Sequence, residues 1–297
     1  MPGSDTRPNE DSFAVLDGAA LVMDGATPLG PSLLPGPSDA AWIAQFGARR
    51  LAAHLKDGDA SQEALKHTLE DTARSFIGLS REPIREKWQT PCASMMLVVD
   101  PLRPSQPREV ATATSPSSAL RARGEGGARP SFEFLWFGDC AALVEHEGKI
   151  ELVGEALEKR KAEAARARRV AKGKNISAAA GINRPEIEPL LRAARNRINT
   201  GKNWLFSPDV RAASHVSRQT LSLEAGSSLL IASDGFLALL TDYEAYDTAG
   251  LMAAVKAKGL SALSRELRVI EQDDAAGEKF SRFKKSDDCT ALFLRVG

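Results

Sequence analysis

The chain has 297 residues, 43% of them hydrophobic, enough to bury a full core as one large domain or two small ones. Lysine plus arginine and aspartate plus glutamate both total 39, so no global field draws the protein to nucleic acid or to an anionic membrane. The amino terminus lacks the basic-then-apolar pattern of a signal peptide and no apolar run approaches the roughly 20 residues of a membrane span, so a soluble, cytoplasmic protein is expected.

In chain order, "FAVLDGAALVMDG" sets Asp17 and Gly18 between two apolar runs, a hairpin signal in which both turn positions favour positive φ. With those two residues as the loop, Leu16 faces Ala19, Asp11 faces Asp24 and Glu10 faces Gly25. Like charges directly opposite repel, and a cation between them would remove the conflict. Residues 39–56 and 61–79 read as amphipathic helices with Ser38 and Ser61 as caps. "CASMMLVVD" and "FEFLWFGDCAALVE" read as neighbouring strands. They are separated by residues 101–131, a segment rich in Pro, Ser, Gly and Arg and expected to be a mobile insertion. "KIELV" follows a turn at Glu147 and Gly148. Residues 155–174 carry eight basic against three acidic residues and read as an exposed helix. Residues 185–199 suggest another helix, "SSLLIAS" a strand, 248–272 a helical stretch and "CTALFLRV" the last strand.

The acids form a pattern across these elements. Glu10 and Asp11 precede a strand, Asp24 ends one, Asp139 lies inside or just after one, Asp234 ends one, and Asp287 with Asp288 precede the last. A single Asp beside a turn usually caps the chain, but so many acids at corresponding places in apolar runs would be costly to bury without partners. Oxygen-rich sets of this kind hold hard divalent cations, so magnesium or manganese is indicated rather than zinc. The three cysteines, Cys92, Cys140 and Cys289, show no C-x-x-C spacing and read as small core residues or free thiols. His54, His67, His146 and His215 read as helix-face or surface histidines without a role.

The ordered set "RPNEDSF", "LVMDGA", "TPCASMMLVV", "FLWFGDCAALVE", "LLIASDGFLAL" and "SDDCTALFLRV" resembles the metal-dependent serine/threonine protein phosphatases of the type 2C class, in a divergent bacterial-type form. The resemblance runs nearly end to end and implies one catalytic domain over 1–297 with an α+β fold. That fold is a four-layer αββα sandwich, two antiparallel β-sheets flanked by helix pairs. It implies hydrolysis of phosphoserine and phosphothreonine in proteins by a water bridging two Mg2+ or Mn2+ ions, with a third, weaker ion site. Carried over by position, Asp24 would bridge both ions, the Gly25 carbonyl would bind one, and Glu10 would assist the second. Asp234 and Asp287 would complete the ligands of the first ion, Asp11 would support the site by hydrogen bonding to metal-bound water, and Asp139 would belong to the third ion. The basic segment falls where bacterial-type members carry a flap, here about 155–205. A monomer acting on phosphoproteins made by a serine/threonine kinase follows, with no nucleic-acid or membrane partner.

Departures from the pattern are equally specific. Thr6 stands where an arginine commonly grips the substrate phosphate, leaving Arg7 one residue away. "DGATPLG" lacks the histidine proposed to protonate the leaving group, Cys140 and Ala141 replace Ser-Arg, and Asp288 replaces Asn. They favour a catalytically impaired regulatory or phosphoprotein-binding module as the alternative, and hydrolysis of a small phosphate ester stands as a second enzymatic option.

Overall fold

In a computed structural model, residues 1–3, 7–100, 119–120, 130–157, 187–275, 277, 279–280 and 286–297 are described. Strands β1 (Asp11–Leu16) and β2 (Ala19–Gly25) form the first hairpin with the register expected, from Leu16 opposite Ala19 to Asp11 opposite Asp24. Its turn differs in one respect: Gly18 takes φ of 84°, whereas Asp17 does not enter positive φ. The mirror-image turn needs both central residues there, and that condition is met instead at Glu147 and Gly148, with φ of 50° and 71°.

Helices α1 (Asp39–Lys56) and α2 (Ser61–Leu79) have the expected spans. Ser38 caps α1 by accepting from the Ala41 amide at 3.3 Å. Ser61 is not a cap: Ala60 occupies that position, and the Ser61 hydroxyl donates to Glu133 at 2.5 Å. After a 3-10 turn at Lys87–Gln89 come β3 (Ala93–Val99), β4 (Ala119–Leu120) and β5 (Ser131–Phe137). The stretch read as one strand, "FEFLWFGDCAALVE", is two. Gly138 turns the chain with φ of 74°, and β6 (Ala141–His146) enters the other sheet, followed by β7 (Lys149–Val153).

Helix α3 (Glu188–Arg195), a 3-10 turn at Val210–His215 and strand β8 (Ser217–Ser222) follow. Next are β9 (Ser228–Ala232) and α4 (Asp234–Thr241). The helical stretch over 248–272 is broken by Gly259, at φ of 78°, into α5 (Thr248–Lys258) and α6 (Leu260–Asp273), before β10 (Ala291–Val296). Residues 101–118 and 121–129 of the expected insertion and 158–186 of the basic segment lie outside the described residues.

Among the described residues the strands make two five-stranded sheets, β1-β2-β3-β5-β8 and β4-β10-β9-β6-β7. Pairing is antiparallel throughout except for the two-residue β4, which runs parallel to β10. Because side chains alternate along a strand, each sheet feeds two cores. Ala20, Val22, Met96, Val98, Phe132 and Phe134 of the first sheet meet Ala142, Val144, Leu229, Ile231 and Leu294 of the second. On the outer faces, Leu21, Met23, Met95 and Leu97 pack with α1 and α2, and Leu143, Leu230 and Ala232 pack with α4, α5 and α6. The layering is therefore helix, sheet, sheet, helix, as expected. Among the described residues no helix is long and apolar enough to cross a membrane.

Candidate metal centre

Strand alternation explains how the acids reach one place. Asp24 follows Ala20 and Val22 on the β2 face that looks into the gap between the sheets, and it lies where that gap opens. Asp11 is its direct cross-strand partner on β1. Ser94, opposite Asp24 on β3, donates its hydroxyl to Asp139 at 2.5 Å, which ties the β5–β6 turn to the same end. A side chain at Gly138 would sit 2.1 Å from that Ser94 hydroxyl, so glycine is required both by φ and by space. From the second sheet, β9 ends at Ala232 and Asp234 opens α4, so the acid ends the strand by beginning a helix.

One carboxylate oxygen each from Asp24, Asp139 and Asp234 lie within 4.8 Å of one another, with Asp234 buried and the other two partly exposed. Asp287 falls outside that closest trio yet still acts on Asp11 and Asp24 electrostatically. Its backbone runs against α4: a Cβ at Gly235 would lie 1.9 Å from the Asp288 carbonyl oxygen and 3.4 Å from the Asp287 Cβ. Gly25 is equally constrained, since a Cβ there would lie 2.3 Å from the Ala40 carbonyl and 2.8 Å from that of Glu10. Its amide donates to the Glu10 carbonyl at 3.0 Å, and Glu10 itself is held by hydroxyls of Ser38 at 2.6 Å and Thr27 at 2.8 Å.

The electrostatic cost is visible in the carboxyls. Burial, followed by the charges of Asp234, Asp11, Asp287 and Asp139, pushes the Asp24 carboxyl well above its ordinary range. Burial also lifts Asp11 to about 7 against hydrogen bonds from Ser233 and Thr290, with Asp234 and Asp287 adding to the rise. The Ser233 hydroxyl donates to Asp11 Oδ2 at 2.9 Å, while Oδ1 is buried with no hydrogen-bond partner among the described residues. A pocket with an orphaned oxygen and several mutually repelling carboxylates fits a hard divalent cation.

Other expected residues take different places. Arg7 is exposed. Asp288 ties the amino-terminal segment down, accepting from the Gly3 amide at 2.7 Å and the Glu10 amide at 2.6 Å. Cys92, Cys140 and Cys289 are buried, and burial raises the Cys140 thiol well above its usual value. Two contributors escaped the sequence reading. Ser94 orients Asp139, and Arg195 points its guanidinium at the Thr27 carbonyl, 3.4 Å away. Arg195 also lines a cavity of about 600 Å³ with Phe76, Ile84, Lys87, Cys92 and Arg211. One of its lining residues, Cys92, reaches toward the acidic end: its carbonyl accepts from the Ala26 amide at 2.9 Å.

No family model matches the sequence, and no curated protein matches it. Solved structures do match along the whole chain. The PPM Ser-Thr phosphatase MsPP from Mycobacterium smegmatis, in complex with cacodylate, has a TM-score of 0.52 at 16% identity, covering 100% of this chain and 96% of that one. A bacterial serine phosphatase carrying a point mutation has a TM-score of 0.52 at 10% identity, with coverage of 100% and 96%. The Mycobacterium tuberculosis serine/threonine phosphatase PstP/Ppp has a TM-score of 0.50 at 12% identity, covering 99% of this chain and 94% of that one. The chain thus has the fold of the PPM-type serine/threonine phosphatases.

Proposed function

We propose that the protein is a divalent-cation-dependent phosphomonoester hydrolase acting on phosphoserine and phosphothreonine in proteins. The observation that carries this reading is the gathering of Asp11, Asp24, Asp139 and Asp234, with Asp287 beside them, at the open end of the gap between two sheets in a phosphatase fold. Asp24, Asp139, Asp234 and Asp287, with Glu10 and the Gly25 carbonyl, would hold Mg2+ or Mn2+. When bound, such ions acidify a water and neutralise charge on a phosphoryl group. The chain's own part is positional. Ser38 and Thr27 fix Glu10, Ser94 fixes Asp139, and Ser233 keeps the Asp11 carboxyl facing Asp24.

A protein substrate is favoured over a small ester by the cavity that Arg195 lines. Its apolar Phe76, Ile77 and Ile84 and its cations Arg81, Lys87, Arg195 and Arg211 suit the residues that flank a phosphorylated side chain. Arg195 brings positive charge to the Glu10 and Thr27 side of the pocket, a role its sequence position did not suggest. A single catalytic domain over 1–297, with the basic segment as a flap, belongs to the same reading.

A second reading, a non-catalytic phosphoprotein-binding module, is favoured by one observation. Ala26 and Thr27 follow the Asp24–Gly25 pair where a leaving-group proton donor is implied. Hydrolysis of phosphopeptides, small phosphate metabolites and an aryl phosphate, each with and without Mn2+, separates these readings. Metal-dependent turnover that is strongest on phosphopeptides and lost in Asp234→Asn is expected. No turnover beyond that variant's would leave the binding module.

A further inference from the structure

The loop between α1 and α2 brings together side chains that the acidic pocket does not use. His54 lies in the last turn of α1, Asp59 in the loop and His67 in α2, and one ligand atom from each lies within 4.8 Å of the other two. His67 Nδ1 is 2.8 Å from Asp59 Oδ2, and His54 Nδ1 is 3.4 Å from the same oxygen. For zinc with bonds of about 2.0–2.1 Å in tetrahedral geometry, neighbouring ligand atoms stand about 3.3 Å apart, so both spacings need only small adjustment.

The surroundings are those of a supported ligand set. His54 Nε2 lies 3.1 Å from Asp71 Oδ2, on the ring edge away from Asp59. Asp71 is gripped in turn by the Arg50 guanidinium, one turn before His54 on α1. Although burial opposes it, hydrogen bonds from Arg50 and His54 hold the Asp71 carboxyl below its ordinary range, so it stays an anion. A carboxylate on the outer nitrogen of a histidine fixes ring orientation and frees the inner nitrogen as a donor to metal. The side chains of His54, Asp59 and His67 are 18%, 28% and 44% exposed, which leaves an entry path and a position for water.

We propose that His54, Asp59 and His67 form a zinc site in the α1–α2 hairpin, separate from the acidic pocket. Two imidazoles and one carboxylate suit zinc, whereas the all-oxygen pocket suits magnesium or manganese. The two places are far apart. Asp59 lines a cavity with Val99 and Asp100 at one end of β3, while Ser94 marks the acidic end, roughly 20 Å away at a strand's rise per residue. An ion there would pin the end of α1 to α2 on the outer face of the first sheet.

The test uses the full chain with excess Mn2+ to occupy the acidic pocket, titrated with Zn2+ and assayed for retained zinc. The unsubstituted protein is expected to retain one zinc per chain more than His67→Ala or Asp59→Asn, and Asp71→Asn to bind it roughly 10- to 100-fold more weakly. Phosphatase turnover should be unchanged in His67→Ala. Imidazole nitrogen resonances of the unsubstituted protein supply a readout independent of any variant's folding. Those of His54 and His67 should shift with zinc while those of His146 and His215 stay. Equal zinc content in all forms, or unmoved His54 and His67 resonances, would overturn the site.

Discussion

Asp11 and Asp24 face each other across β1 and β2, and only one of them can keep its charge cheaply in the absence of a cation. For Asp11 the consequence for stability has a definite sign. Its carboxyl stands at about 7 in the fold against 3.8 ordinarily, so the folded protein holds an extra proton between those values. That contribution is fully present below about pH 4 and is lost as pH rises through 7, on the order of 4 kcal/mol in all. Asp11→Asn removes the charge and keeps an acceptor for Ser233. In chelator, urea unfolding should show this variant gaining on the unsubstituted protein as pH goes from 5 to 8, and an equal gap at both would exclude the linkage. The pairing was legible because a two-residue hairpin loop at Asp17 and Gly18 fixes every partner by counting. The His54–His67 contact was not, because nothing in the spacing of two helices says which turns face each other across their loop.

At the scale of elements, α6 holds the last acidic loop in place. Arg268 donates to the Asp287 carbonyl at 2.7 Å and to the Met1 and Pro2 carbonyls at 3.2 Å, and it pairs with Glu271 at 2.6 Å. Glu271 is only 3% exposed. Arg268→Gln leaves that carboxylate buried without its cation, so a loss of about 3 kcal/mol is expected in denaturant unfolding. Weaker Mn2+ binding should accompany it as the Asp287 segment loosens, and unchanged stability and affinity would remove Arg268 from this role. Helices α1 and α2 could be read because their apolar faces recur at helical spacing. Strand β8 could not: "SRQTLS" is an edge strand whose exposed Arg218 and Thr220 alternate with half-buried Ser217, Gln219 and Leu221, leaving almost no apolar signal. The break at Gly259 was masked by good helix formers on either side, and "FEFLWFGDCAALVE" read as one strand because both halves are apolar enough to lie in a core.

The whole molecule is a sandwich whose central core is apolar through most of its depth and acidic at one end. Folding must bring those carboxylates together, so an ion that binds only the folded state stabilises it by mass action. Mn2+ at 100 times its dissociation constant should add about 2.7 kcal/mol. Thermal unfolding should show this rise in the unsubstituted protein and not in Asp24→Asn. An equal rise in both would place the ion elsewhere. The layered architecture was legible from the ordered motifs, whereas the closest trio, Asp24, Asp139 and Asp234, depends on a three-dimensional turn that no linear pattern reports.

That turn has a mechanical meaning. Residues Gly138–Cys140 join β5 of one sheet to β6 of the other, so the two leaves are hinged by a short covalent spine at the very margin where the acids lie. At the opposite margin residues 223–227 join β8 of the first sheet to β9 of the second, so the backbone ties the leaves together at both ends of the apolar filling. The fold thereby shields the spacing of its chemistry from drift in its interior.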